Sequence, residues 1–175
     1  GCTSLSNIQG NGTNKRMPAS IITIEDYAFY NCDALVELDL FTGIKTLGEN
    51  TFKGTTPLTE LTIRSDIENH NNAFKGHTGI TTLIFNGKLA TTIYDSMFEG
   101  CTGITKVTQT NYIISIGNRA FFGCTGLNKY KAINYGLNKN LKVGKDAYRF
   151  GGYADGITEM PTINIEQSVD KADVD

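Results

Sequence analysis

Large apolar side chains recur along this chain with a period of about two dozen residues. Six aromatic rings fall at equivalent positions, at intervals of 23, 22, 24, 23 and 27 residues. These rings, called anchors below, are Phe29, Phe52, Phe74, Phe98, Phe121 and Tyr148, and they define repeats 1 to 6. A small or apolar residue precedes each anchor, and Gly or Asn usually follows two places later. The pattern predicts an array of stacked repeats, because a unit this short cannot enclose a core of its own.

Each repeat also carries a short stretch of alternating apolar residues after its anchor. In repeat 1 it reads Leu35-x-x-Leu38-x-Leu40, which is typical of a strand with one buried face. Stacking predicts that these strands pair in parallel along one wall. The Ile-x-x-Ile or Ile-x-x-Leu stretch before each anchor is predicted to turn the chain. The anchor segment then returns it along the opposite wall in extended, turn or single-turn helical form.

The strand pattern predicts which side chains point away from the core. In repeat 1 these are Glu37 and Asp39. The equivalent positions downstream are Glu60 and Thr62, Thr82 and Ile84, Lys106 and Thr108, and finally Lys129 and Lys131. The face is therefore acidic at one end and basic at the other. It fits a binding surface for a dipolar partner, and the alternative is a solvated face whose charges happen to segregate.

The pattern Ile-x-x-Ile-Gly-x-x-Ala-Phe-x-Gly-Cys-Thr-x-Leu, read from Ile113 to Leu127, resembles the BspA-like leucine-rich repeat. The resemblance covers residues 1 to about 160. It implies a right-handed solenoid with a parallel sheet on one face, in proteins that are secreted or attached to the surface of bacteria and some protozoa and that adhere to host proteins or other cells. The chain departs from commoner leucine-rich repeats in lacking an asparagine ladder after the strand, where Gly43, Asp66, Lys88 and Tyr112 stand.

The repeats predict one solenoid over residues 1–160, with about six repeats of ~23 residues, the first truncated. Residues 1–8 match the second half of a repeat, so we expect the array to begin mid-repeat and to offer an uncapped end for end-to-end self-association. Cys2 then fills a repeat position; the alternative is the acylated first residue of a bacterial lipoprotein. Residues 9–20 are predicted to form a loop insertion, and residues 161–175 a closing strand with an acidic tail or linker.

Three of the four cysteines share one repeat position. Cys32, Cys101 and Cys124 each stand three places after an anchor, and Thr55, His77 and Gly151 occupy the same position in other repeats. We call this position the slot. Parallel stacking sets Cys32 too far from Cys101 for a disulfide, and it points the sulfurs of Cys101 and Cys124 alongside each other. Buried thiols are therefore expected, and no short Cys or His spacing indicates zinc.

Composition narrows the functions that the chain can have. With 16 basic and 18 acidic residues and a net charge of -2, nothing favours nucleic acid as a partner, and no apolar run is long enough to insert into a membrane. The two histidines, His70 and His77, lie in a polar loop and in the slot, so structural roles are expected. No nucleophile with a base, phosphate loop or cofactor motif is found, so no cofactor and no enzymatic activity are expected.

Four aromatic residues beside the anchors or turns are candidates for contact with a partner: Tyr27, Tyr30, Tyr94 and Phe122. They would grip a protein or a sugar, or else cap the edge of the stack. The sequence thus predicts an extracellular or cell-surface adhesion module that recognises a protein or glycan through its sheet face. The alternatives are a structural spacer within a larger surface protein and, less favoured, a hydrolytic enzyme.

Overall fold

The protein is described here from a computed structural model, in residues 4–5, 20–40, 43–64, 66–86, 91–108, 112–127 and 142–147. Nine short strands make up its regular structure in these ranges. They are β1 (Thr23–Ile24), β2 (Glu37–Leu40), β3 (Thr46–Leu47), β4 (Glu60–Ile63), β5 (Thr82–Phe85), β6 (Thr91–Ile93), β7 (Lys106–Thr108), β8 (Ile113–Ile116) and β9 (Lys142–Val143). Within the same ranges the chain contains no α-helix.

The strands that follow the anchors of repeats 1 to 4 form one parallel sheet, in the order β2-β4-β5-β7. The predicted wall of parallel strands is thereby confirmed. Leu38 and Leu40 of β2 are buried, as are Leu61 and Ile63 of β4, so the alternating pattern places one face of the sheet against the core. The predicted closing strand and tail at residues 161–175 and the predicted loop at residues 9–19 lie outside the described residues.

The stretches before the anchors differ from the expectation. The sequence predicts that they turn the chain, yet in repeats 1, 2, 4, 5 and 6 they form short parallel strands in two further sheets, β1-β3 and β6-β8-β9. Repeat 3 contributes an isolated bridge between Asn69 and Thr46. Each N–H that faces the neighbouring repeat needs an acceptor there, and the stack supplies one: Gly48 N donates to Ile24 O at 2.7 Å, and Gly117 N donates to Ile93 O at 2.6 Å. Spacing within one repeat carries no information about these bonds.

The anchors form a continuous column through the core. Ring centroids are 5.4 Å apart for Phe29 and Phe52, 5.0 Å for Phe52 and Phe74, 5.5 Å for Phe74 and Phe98, and 5.4 Å for Phe98 and Phe121. Phe52, Phe74, Phe98 and Phe121 are fully buried, whereas Phe29 is partly buried. Tyr148, the last predicted anchor, lies outside the described residues. Each repeat therefore uses its neighbours to bury its ring, as the period predicts.

Two backbone positions with positive φ bracket every described anchor. The position two after the anchor holds Asn31, Gly54, Gly76, Gly100 and Gly123, with φ between 51° and 77°. The position two before holds Tyr27, Asn50, Asn72, Ser96 and Arg119, with φ between 53° and 57°. Glycine and asparagine at the first position suit a left-handed conformation. At the second position tyrosine, serine and arginine adopt the same left-handed conformation. The intrinsic preferences of these residue types do not predict it.

Candidate functional site

Eight residues of the predicted binding face align in register across the strands β2, β4, β5 and β7. Two rows run perpendicular to the strands. One row pairs Glu37 with Glu60, Glu60 with Thr82, and Thr82 with Lys106; the other pairs Asp39 with Thr62, Thr62 with Ile84, and Ile84 with Thr108. We call these eight residues the sheet face. Each row spans about 14 Å, which is three spacings of ~4.8 Å between neighbouring strands.

Charge is graded along the first row. Glu37 and Glu60 are exposed and stand on adjacent strands, and Lys106 is exposed at the other end. Like charges on paired strands repel each other. Water screens the repulsion between Glu37 and Glu60 because both side chains are exposed. The two carboxylates and the ammonium group form the polar ends of a flat surface, with Thr82 between them.

The second row is less available to a partner than the sequence suggested. Asp39 forms an ion pair with Arg64, whose Nε lies 2.7 Å and 2.9 Å from the two carboxylate oxygens, and both side chains are only about one fifth exposed. Thr62 is buried, with 8% of its surface accessible. Ile84 and Thr108 are half-buried. The charge of Asp39 is therefore matched within the protein, and a partner would meet Glu37 and Glu60 as the acidic end.

Lys129 and Lys131, the remaining predicted members of the basic end, lie outside the described residues. Lys106 is the basic end of the sheet face in the part of the chain that the structure describes.

The slot is an inter-repeat hydrogen-bonding position, and its cysteines are buried free thiols as predicted. Cys101 Sγ donates to Phe74 O at 2.9 Å, and Cys124 Sγ donates to Phe98 O at 3.0 Å. Burial raises the pKa of Cys101 to about 12 and also raises the pKa of Cys124. Neither thiol forms a thiolate at neutral pH, so neither is an active nucleophile.

His77 fills the slot of repeat 3 in a fixed tautomer. Its Nδ1 accepts a hydrogen bond from Ile80 N at 3.2 Å, so the proton lies on Nε2, which is 3.0 Å from Thr55 O. Burial lowers the pKa of His77 below 6.5. The ring is neutral and structural, which agrees with the sequence-based expectation.

An ion cluster lies on the edge formed by the turns around the anchors, which we call the turn edge. Glu99 Oε1 lies 2.7 Å from Arg119 Nη2, and Lys75 Nζ lies 3.4 Å from Glu99 Oε2. The hydrogen bond from Arg119 is the main cause that lowers the pKa of Glu99 to about 2. The Arg119 guanidinium also lies 3.7 Å from the ring centroid of Phe122, so one face of that predicted contact aromatic is covered.

The other candidate aromatics differ in exposure. Tyr27 is 55% exposed and makes an edge contact with Tyr30, with 5.6 Å between ring centroids. Tyr94 is half-buried, and its hydroxyl lies 3.4 Å from Asp66 Oδ2. Tyr27 and Tyr30 are exposed, whereas Tyr94 helps to line a pocket.

This pocket, which we call the lateral pocket, is an open hollow of about 540 Å³ on the turn edge between repeats 3 and 4. It is lined by Glu68, Asn69, His70, Asn71, Asn72, Tyr94 and Asp95. Sequence reasoning placed His70 in a polar loop and Tyr94 at a turn, but it did not bring them together. One feature of the sequence could have indicated the pocket. Four residues before the anchor, repeats 2, 5 and 6 have glycine, whereas repeats 3 and 4 have the aromatic residues His70 and Tyr94.

A ladder of side-chain oxygens was also missed. Its residues stand three places before the anchors, on the turn edge. The asparagine ladder of commoner leucine-rich repeats, by contrast, follows the strand. Asp26 Oδ1 accepts the N–H of Glu49 at 2.6 Å, Asp95 Oδ1 that of Asn118 at 2.7 Å, and Asn118 Oδ1 that of Lys145 at 2.8 Å. Each bond satisfies a backbone donor of the next repeat. These residues hold neighbouring turns together.

Among the described residues, no set of three or more His, Cys, Asp or Glu side chains is arranged to hold a metal ion. The same ranges contain no helix with the length and apolar character needed to cross a membrane.

Comparison with known proteins identifies the repeat. The family described as BspA type leucine rich repeat region matches residues 1–128 in six copies. No curated protein matches the chain.

Solved structures with a similar fold come from bacteria. A leucine-rich repeat protein from Bacteroides ovatus covers 77% of this chain at 21% identity, with a TM-score of 0.52. A leucine rich cell surface protein from Faecalibacterium prausnitzii and a leucine rich repeat protein from T. pallidum each cover 76% of this chain, at 22% and 19% identity, with TM-scores of 0.49 and 0.41. This chain spans 39%, 35% and 52% of those three chains, respectively. The Bacteroides ovatus structure supports the solenoid fold.

Proposed function

Because the chain belongs to the BspA-type leucine-rich repeat family, we propose that it is a non-enzymatic adhesion module that recognises an extracellular partner through its sheet face. The partner class is a protein surface or a glycan. Family membership supports a protein-interaction or surface role in general, and it supports a location outside the cell or at its surface. The observation that carries the proposal is the register of Glu37, Glu60, Thr82 and Lys106 across four strands.

The geometry favours a protein as the partner. The strand pairing holds the backbone of these residues at fixed spacings, so binding does not have to order the backbone of the sheet face. Glu37 and Glu60 lie at one end of the row and Lys106 at the other, which complements a surface of opposite polarity. Such complementarity raises the association rate and fixes the orientation of the partner.

The second row adds an apolar contact. Ile84 is half-buried at the centre of the sheet face, between Thr62 and Thr108. Interfaces commonly place an apolar contact inside a polar rim. A partner that matches the charged row would cover Ile84 at the same time.

Charge reversal tests the role of the sheet face. The protein is immobilised and screened against purified extracellular-matrix proteins and an array of glycans. Lys106, Lys129 and Lys131 are then changed together to Glu. We expect this variant to lose binding to the partner found in the screen, with its melting temperature nearly unchanged because Lys106 is exposed.

A matched control separates position from net charge. The control changes three exposed lysines that lie outside the sheet β2-β4-β5-β7, namely Lys53, Lys142 and Lys145. Their change to Glu alters the net charge by the same amount. Binding should survive this change. If the Lys106, Lys129 and Lys131 variant retains full binding, or if both triple variants lose it alike, the sheet face is not the binding surface.

A further inference from the structure

Glycine four residues before the anchor lets neighbouring turns touch. The position holds Gly48, Gly117 and Gly144 in repeats 2, 5 and 6. A Cβ atom at Gly144 would lie 2.6 Å from Asn118 N, and one at Gly117 would overlap Asp95. These turns pack backbone against backbone, so no side chain fits between them there.

Repeats 1, 3 and 4 carry a larger residue at this position, namely Glu25, His70 and Tyr94. In repeats 3 and 4 the residue is aromatic, and the ring centroids of His70 and Tyr94 lie 6.4 Å apart with the ring planes tilted by 40°. The lateral pocket lies beside this pair of rings, and His70 also forms a hydrogen bond with the backbone of Asp95 in the next repeat. Its volume of about 540 Å³ is large enough for a small molecule. Five of its seven lining residues are exposed, so a ligand there would stay in contact with solvent.

The hydrogen bonds within the lateral pocket define what it offers to a ligand. Asn72 N donates to His70 Nδ1 at 3.3 Å, which leaves the ring proton on Nε2, and burial lowers the pKa of His70 so that the ring is neutral at physiological pH. The Tyr94 hydroxyl is engaged by Asp66, so its ring is the group presented to the pocket. The side-chain amides of Asn69 and Asn72 have no protein partner in the described ranges, and each offers both a donor and an acceptor.

The charges at the rim select against anions. Glu68 and Asp95 line the lateral pocket. Glu68 Oε1 accepts a hydrogen bond from Lys45 Nζ at 2.9 Å, and Asp95 accepts bonds from both the N–H and the side-chain amide of Asn118. The carboxylates are thus held in place, and they would repel a negatively charged ligand.

We propose that the lateral pocket binds a neutral hexose unit, as a free sugar or as the terminal residue of a glycan. Vicinal hydroxyl groups both donate and accept, which matches the amides of Asn69 and Asn72. The C–H face of a pyranose ring is apolar and packs on an aromatic ring such as Tyr94. This site is separate from the sheet face and takes a different class of ligand.

A chemical-shift titration tests the assignment. The ¹⁵N-labelled protein is titrated with the methyl glycosides of glucose, galactose and mannose, with N-acetylglucosamine, and with sialic acid as the anionic comparison. For one neutral sugar we expect saturable shifts of the amides of residues 68–72, 94 and 95, with a Kd on the order of 1 mM, as suits a ligand of about a dozen heavy atoms. Sialic acid should cause none. Absence of saturable shifts for every neutral sugar overturns the proposal, as do shifts confined to other regions.

Matched variants separate the pocket from the rest of the fold. Asn72→Gly removes an amide at φ 57°, and Asn50→Gly makes the same change at φ 53° in the preceding repeat, outside the lateral pocket. Glycine accepts both backbone conformations. Asn72→Gly should weaken sugar binding about tenfold, the order of one lost hydrogen bond, and Asn50→Gly should not weaken it. Equal affinities of the two variants would overturn the assignment.

Two further measurements complete the test. Tyr94→Gly gives repeat 4 the residue of repeats 2, 5 and 6, so the variant should fold and lose sugar binding; a folded variant that keeps its affinity overturns the proposal. Reversal of Lys106 should leave sugar binding intact, whatever it does to the sheet face.

Disaccharides that bind more tightly than the methyl glycosides point to a glycan terminus as the source, and equal affinities point to a free sugar.

Discussion

The thiol of Cys101 donates a hydrogen bond to the carbonyl oxygen of Phe74 in the preceding repeat, at 2.9 Å. Thr55 makes the equivalent bond with its hydroxyl, to Phe29 O at 2.6 Å. A thiol and a hydroxyl therefore perform the same task in different repeats. The slot selects for a small buried donor that satisfies an anchor carbonyl, and the cysteines need no reactivity to be useful there.

Substitutions at Cys101 should follow donor capacity more than size. Cys101→Thr keeps a donor, whereas Cys101→Val has a similar volume and lacks one, which leaves Phe74 O without its side-chain partner. We expect Cys101→Val to be less stable than Cys101→Thr by about 1 kcal/mol, measured by urea unfolding. Equal stability of the two variants would contradict the role of the hydrogen bond.

Alkylation tests the state of the buried thiols. Because burial raises the pKa of Cys101 to about 12 and raises that of Cys124, we expect iodoacetamide to modify neither residue in the native protein near neutral pH. Peptide mapping by mass spectrometry should show both modified after unfolding in urea. Rapid modification of either thiol in the folded protein would contradict the buried, protonated state.

The anchor column predicts position-dependent costs of truncation. Phe74 packs between Phe52 and Phe98 and is fully buried, so Phe74→Ala should cost about 3–5 kcal/mol. Phe29 packs against Phe52 and is only partly buried, so the same change there should cost less. Unfolding free energies from urea titration test the order. A larger loss at Phe29 would argue against a column that is buried by its neighbours.

The residue two places after the anchor should prefer asparagine to alanine. Gly100 has φ 75°, and an added Cβ would lie 3.5 Å from Gly76 Cα, an ordinary contact distance. The cost of Gly100→Ala is therefore conformational, about 1–2 kcal/mol. Gly100→Asn should cost less, because repeat 1 holds Asn31 at φ 51° in this position. Thermal melts of both variants should show this order, and equal melting temperatures would contradict it.

Stability should fall as the pH drops below about 6.5. Burial lowers the pKa of His77 in the folded protein, so below 6.5 the unfolded state binds more protons than the folded state, and the free energy of unfolding decreases until the pH passes the folded pKa. Glu99, held at a pKa of about 2 by Arg119, loses its contribution only as the pH falls from 4.5 toward 2. Measurements above about pH 5 therefore isolate the histidines.

His77→Thr serves as the control for this titration, because Thr55 occupies the same slot in repeat 2. The variant should show a smaller loss of stability between about pH 7.5 and pH 5 in urea unfolding, and His70, whose pKa burial also lowers, accounts for part of what remains. An unchanged slope would mean that His77 is not the titrating group.

Glu37, Glu60 and Lys106 are exposed, as the alternation of side chains along a strand predicts. The availability of the other outward positions could not be read in the same way. Asp39 is matched by Arg64, which lies 25 residues away in the chain, and Thr62 is buried although it occupies an outward position in the pattern. Both outcomes depend on side chains of adjacent repeats, which the pattern of one repeat does not describe.

The amino-acid sequence by itself determined the repeat, the anchor column, the parallel strands and the buried slot. Each of these follows from the spacing of apolar residues that every repeat shares, because residues at equivalent positions are buried in the same way in each repeat. The tertiary structure alone decided the extra strands before the anchors, the left-handed backbone of Tyr27 and Arg119, and the meeting of His70 with Tyr94 at the lateral pocket. These features arise where two different repeats touch, so they depend on how neighbouring turns satisfy one another's backbone and fill the space between them.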